Sequence, residues 1–121
     1  MAIVGELMME AIVELLTYLV QGSEADPYRI QFLRNGEKLT ITCSCAAGEL
    51  GQVCKHRMNL IVGDVTALVG GDDPARVAGL IEGSNVERAL GAVAEAQRTL
   101  DDAKRFLSRQ KKVLGHVMAG H

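Results

Sequence analysis

The sequence predicts an α+β fold that is mostly helical, with an N-terminal helix, a β-hairpin leading into a second helix, and a long heptad-patterned C-terminal helix. Three observations carry this. The chain is 48% hydrophobic but only 3% aromatic, an aliphatic mix that suits helices packed on helices. An Asn35-Gly36 turn dipeptide stands between alternating apolar residues, the strongest short-range hairpin signal. A capping box, Ser84-Asn85-Val86-Glu87, opens a long heptad run. With 121 residues the chain suffices for one domain with a real core and is too short for two. The expected organisation is therefore a single domain, 1–121, with its N-terminal helix in 1–22, a hairpin-and-helix unit over 28–62, short helices over 64–83 and the long helix over 84–118.

Residues 3–20 read as a helix. Glu6, Glu10 and Glu14 recur every four residues and form one polar stripe, with an apolar face around them wide enough to need cover on more than one side. The same carboxylates argue against a bilayer span. With no basic segment before the apolar run there is no secretory signal, so the expected location is the cytoplasm, with no membrane partner.

Tyr28 to Cys43 reads as the hairpin. A two-residue Asn35-Gly36 loop opposes Arg34 to Glu37, Phe32 to Leu39, Ile30 to Ile41 and Tyr28 to Cys43, and gathers the apolar pairs on one face. A helix is expected from Cys54 to about Val62, stopped by Gly63. A short helical turn follows from about Asp64 to Val69 and is broken by Gly70-Gly71. Asp73-Pro74 restarts helix through Ile81, because Asp caps well and Pro fits the first helical position.

In the last helix Val86, Val93, Leu100, Leu107 and Leu114 recur every seven residues, and Ala89, Ala96, Ala103, Gln110 and Val117 follow three positions later. This coiled-coil seam, from Val86, Ala89 and Val93 through Ala96, Leu100 and Ala103 to Leu107, expects a close helical partner. That partner is either the chain's own first helix or a second copy, as in a homodimer.

Charge is unevenly spread. Residues 1–83 hold 6 basic and 11 acidic residues, net −5, and residues 84–121 hold 7 and 4, net +3. The basic cluster Lys104, Arg105, Arg109, Lys111 and Lys112 suits the exposed face of a helix near its C-terminal end. As a phosphate contact it lacks the interleaved aromatics that stack single strands.

The chemistry lies in Cys43-Ser44-Cys45 and Cys54-Lys55-His56, two ligand pairs separated by eight residues, and these use every cysteine in the chain. Three clustered cysteines do not make a secreted disulfide framework. Thiolate and imidazole are the preferred donors of zinc, and four of them close its tetrahedron. Cys43, Cys45, Cys54 and His56 are thus the expected ligands of one structural zinc ion per chain. No coordination position is left for a catalytic water, so no enzymatic activity and no small-molecule substrate are expected. Lys55 and Arg57 flank His56 and are placed to offset the net negative charge of such a site. Gly48 and Gly51 are read as flexible points that fold the second ligand pair back.

This C-x-C-x8-C-x-H pattern, arriving on a hairpin and leaving into a helix, resembles the SWIM zinc finger. Cys43, Cys45, Cys54 and His56 match its ligands, and Gly48, Lys55, Met58, Leu60 and Ile61 are in keeping. The resemblance covers roughly residues 28–62, and the whole chain looks like a small stand-alone bacterial or phage SWIM protein. It implies contact with nucleic acid or with other proteins. A minor alternative is a CDGSH-like iron–sulfur protein, which shares the cysteine spacing; its histidine, however, falls where this chain has Met58, and the Asp-Gly-Ser run is absent.

Two functions follow as expectations. The first is a non-enzymatic zinc-binding protein–protein interaction module, an oligomeric adaptor or inhibitor that self-associates or holds another protein. The alternative is a SWIM-type nucleic-acid-binding finger that uses Arg29, Lys55 and Arg57 around the zinc loop, or Lys104, Arg105, Arg109, Lys111 and Lys112 on the long helix. Loss of zinc, or Cys54→Ala, is expected to unfold 28–62.

Overall fold

The computed structural model describes residues 13–121. Its elements are β1 (Val13–Val20), β2 (Tyr28–Asn35), β3 (Lys38–Cys43), α1 (Ala46–Glu49), α2 (Lys55–Ile61), β4 (Leu68–Gly71), a 3-10 turn (Pro74–Arg76), α3 (Val77–Ile81) and α4 (Asn85–Met118). Helix makes up 49% of the described residues and strand 24%, so the mostly helical α+β class holds. The helix content is nevertheless concentrated in α4, whereas the rest of the chain is led by an antiparallel sheet of order β3-β2-β1-β4. The chain resolves into a first unit ending at Glu87 and a second unit, Arg88–His121.

The expected N-terminal helix is corrected over its second half, and its first half lies outside the described residues. Val13–Val20 is a strand, paired with β2 on one side and β4 on the other. Leu16, Tyr18 and Val20 point into the core, while Val13 and Leu15 are exposed. A run of apolar residues broken only by Glu14 and Thr17 carries no clean period, so it suits a strand held on both edges as well as a helix. Val13, Thr17, Tyr18 and Val20 are residues that favour the pleated surface.

The hairpin forms with its apolar face as expected, but its register differs. Asn35 opposes Lys38, Arg34 opposes Leu39, Phe32 opposes Ile41 and Ile30 opposes Cys43. The loop is therefore Gly36-Glu37, with Gly36 at φ +60° in the first central position, which only glycine occupies without strain. Each partner slides by an even step, so every side chain keeps its face. Ile30, Phe32 and Leu39 remain buried. Arg34 does not pair with Glu37. Its guanidinium donates to the carbonyls of Leu80 at 2.5 Å and Glu82 at 2.8 Å, and to that of Gly36, satisfying acceptors that the end of α3 leaves open.

The helical turn expected over 64–69 is replaced at its end by β4, and Gly70-Gly71 belongs to that strand rather than breaking a helix. The reason is tertiary. A Cβ on Gly71 (φ +105°) would come within 2.3 Å of the Thr17 carbonyl oxygen, so glycine lets β4 close onto β1. Thr17 N then donates to Asp72 Oδ2 at 2.7 Å, and Asp72 N to Thr17 O at 2.8 Å.

Local signals hold elsewhere. Asp73 Oδ1 accepts from Ala75 N at 2.9 Å ahead of Pro74. Helix α2 closes in a left-handed cap, with Asp64 N donating to Asn59 O at 2.8 Å and Gly63 at φ +84°. Ser84, fully buried, accepts from Glu87 N at 3.2 Å, and Glu87 Oε1 accepts from Gly83 N at 3.2 Å. The core of the first unit is centred on Tyr18 and Phe32, edge to face at 5.5 Å, a favoured aromatic geometry. Val77, Leu80 and Ile81 of α3 are buried as well.

Candidate metal centre

The sequence brings its four donors together by local means. β3 ends at Cys43, and Ser44 then turns the chain: its N–H donates to Arg29 O at 3.1 Å, and its Oγ accepts from Arg29 N at 2.9 Å. Ser44 thereby fixes the geometry between Cys43 and Cys45. Cys45 is the N-cap of α1 and Cys54 the N-cap of α2, each in extended backbone conformation. Their sulfurs take the place of the usual capping oxygens. Cys45 Sγ accepts from Gly48 N at 3.3 Å, and Cys54 Sγ from Arg57 N at 3.4 Å. Backbone N–H groups at a helix start favour thiolate over thiol.

One donor atom from each of Cys43, Cys45, Cys54 and His56 lies within 4.8 Å of the other three, a set that could hold a metal ion. The three cysteines are buried and none forms a disulfide. Nδ1 of His56 is 3.9 Å from Cys43 Sγ, and its Nε2 side faces Gly22. Tyr28 packs on the imidazole with ring centroids 4.8 Å apart. No family model, no curated protein and no solved structure matches the chain. The site therefore rests on its own geometry.

Its electrostatics are those of crowded thiols. Burial pushes the Cys43 thiol up to about 12, with the neighbouring Cys54 adding to the rise. Burial also raises Cys54, but the backbone N–H and the guanidinium of Arg57 outweigh it and hold the thiol below its ordinary value. His56 is lowered by burial and by the Lys55 charge, which keeps its imidazole neutral and able to coordinate. Three thiols this close do not all ionise without a compensating cation.

The residues expected beside the ligands divide. Arg57 is turned into the site. Its Nε donates to Cys54 Sγ at 3.3 Å, Nη1 to Ile41 O at 2.9 Å, and Nη2 to Gln52 O. Lys55 is exposed at the start of α2, and Arg29 is exposed on β2. Lys104, Arg105, Arg109, Lys111 and Lys112 are exposed on α4, in the second unit. The seam residues Ala89, Val93, Ala96, Leu100, Ala103 and Leu107 are exposed too, and Val86 is half-buried.

Gly48 plays a different part from the flexible point expected of it. A Cβ there would lie 2.5 Å from Cys43 O and 2.9 Å from Cys43 Cβ, so glycine is what lets α1 fold over Cys43. The sequence places Tyr28 only as a strand residue opposite Cys43 and gives Ser44 and Gly22 no part in the site. Tyr28 could have been found, because it opens the strand beside the one that ends in Cys43. For Ser44 and Gly22 a single sequence carries no signal.

Proposed function

We propose that this chain is a zinc-binding interaction module of the SWIM type, in which one structural zinc ion joins the end of the hairpin to α2. The observation that carries the reading is the closed Cys43, Cys45, Cys54 and His56 set. A tetrahedral zinc site with sulfur near 2.3 Å and nitrogen near about 2.0–2.1 Å has S···N edges of about 3.6 Å and S···S edges of about 3.8 Å. Cys43 Sγ and His56 Nδ1 stand 3.9 Å apart and all four donors lie within 4.8 Å of one another, so the set closes on an ion by drawing its side chains slightly inward. The donors are those zinc prefers, and the Arg57 and Gly48 N–H bonds to sulfur are the outer support that metal thiolates require. When bound, the ion would supply positive charge and crosslink two short elements; the chain's own residues supply the orientation. Four protein donors leave nothing for substrate, which supports a binding role over catalysis.

Native mass spectrometry of the purified chain tests this. One zinc per chain, lost to a chelator together with the structure of α2, is the expected result. Iron, or a metal-free chain with α2 intact, overturns it. The same sample decides between protein and nucleic acid as partner. Retention on DNA or RNA that weakens steeply with salt, and falls in an Arg29→Ala, Lys55→Ala variant, moves the reading to a nucleic-acid-binding finger.

A further inference from the structure

Helix α4 is 34 residues long, about 51 Å at 1.5 Å per residue, and it contains no buried residue. Its large apolar side chains stand in water: Leu100 is 48% exposed, Leu107 54% and Leu114 57%. A regular aliphatic stripe of this length on a single helix is the signature of a helical partner.

The pattern says which partner, and in which direction. In an antiparallel pair of identical helices, each of the two heptad core positions faces the other one on the second copy. Taken over the full length of α4, this sets Leu100 against Ala103, Leu107 against Ala96 and Leu114 against Ala89. Each pair occurs twice about the two-fold axis. Every leucine of the seam thus meets an alanine, and these central layers fill evenly at close helix separation; the outer layers set Val93 against Gln110 and Val86 against Val117. One flank repeats the rule, with Phe106 against Thr99. A parallel pair would instead stack leucine on leucine and alanine on alanine, alternating overfilled and hollow layers.

Charge selects the same direction. Residues 85–102 hold four carboxylates and two basic side chains, net −2, whereas 103–118 hold five basic side chains and no carboxylate, net +5. Antiparallel pairing lays each basic half along the acidic half of the other copy. Parallel pairing lays basic on basic, which costs stability and steers encounter away.

We propose that α4 pairs antiparallel with α4 of a second copy of this chain, with Leu100 and Ala103 facing each other on either side of the two-fold axis. The proposal does not depend on the metal site, whose residues belong to the first unit, so either reading can fail without the other.

The test uses the full chain as purified. Sedimentation over a concentration series is expected to show reversible dimer, weakened by salt. Leu107→Asp buries a carboxylate twice per dimer and is expected to weaken association by at least about a hundredfold. The fold of the first unit should be unchanged, because Leu107 is exposed and belongs to the second unit. A photocrosslinking side chain placed at Gln97 reports direction. Crosslinks to residues near Lys104 of the second copy support antiparallel pairing. Crosslinks near Gln97 itself show a parallel pair and overturn the proposal. A monomer at every concentration, or crosslinks within the same chain to residues 1–12, also overturn it.

Discussion

Arg57 donates twice to the sulfur of Cys54, from its backbone N at 3.4 Å and from Nε at 3.3 Å. The same guanidinium reaches Ile41 O on β3 and Gln52 O in the preceding loop. One side chain therefore ties the Cys54 and His56 pair to the strand that delivers Cys43. A lysine keeps the charge but not the planar fork that serves three acceptors. Arg57→Lys is expected to destabilise the metal-loaded protein by about 1–3 kcal/mol and to weaken metal retention in a chelator competition. Unchanged unfolding and retention would show that the guanidinium does not hold the site.

Gly48 gives a steric test of the same site. Its close neighbour is the Cys43 backbone carbonyl, 2.5 Å from where a Cβ would stand, and backbone cannot swing aside. Gly48→Ala is expected to cost about 1–3 kcal/mol through overpacking. Gly51→Ala is the instructive control: Gly51 has φ +73° and nothing within 4 Å, so its smaller cost comes from conformation alone. Equal metal affinity in Gly48→Ala and the parent would contradict the packing argument.

Metal removal should act locally. The sequence alone suggests loss of the whole 28–62 segment, but β2 lies between β3 and β1, and Ile30 and Phe32 are fully buried against that sheet. Chelation, or Cys54→Ala, is therefore expected to release residues 44–62 while the β1–β2 pairing persists. Amide hydrogen exchange reads this directly. Rapid exchange throughout β2 after chelation would mean that the metal supports the sheet as well.

Tyr18 predicts an alkaline limit. Its hydroxyl donates to Asp73 O at 2.9 Å, and its ionisation is held above the ordinary value of 10.0 by burial first, then by Asp72 and Asp73. A raised folded pKa means the tyrosine's contribution is fully present below pH 10 and is lost as pH rises through the folded value. Tyr18→Phe should cost about 1 kcal/mol near neutrality and lose less stability than the parent above pH 10. Parallel stability profiles for the two proteins would rule this out.

Elements specified by neighbouring residues were legible in advance. Cys54 and Gly63 bracket α2, Asp73-Pro74 opens the turn into α3, and Ser84 with Glu87 opens α4. The ligand spacing and the inward face of the hairpin were equally plain, since both follow from short-range geometry. What escaped was non-local. Nothing near Val13–Val20 announces that β2 and β4 will take both of its edges, so a mixed apolar run read as helix. Gly70-Gly71 read as a breaker because its real use, close approach to Thr17, involves a segment far away in the chain.

By itself, then, the sequence determined the Cys43, Cys45, Cys54 and His56 donor set, the start and stop of α2, the starts of the turn into α3 and of α4, and the heptad stripe of α4. Each of these is encoded by residues a few positions apart. Only the tertiary structure decided that β1 is an inner strand of a four-stranded sheet, that Arg34 closes α3 rather than pairing with Glu37, and that of the two flanking cations Arg57 turns to the sulfur while Lys55 stays exposed. Those outcomes depend on which buried backbone groups are left needing a partner, and that is settled only when distant segments come together.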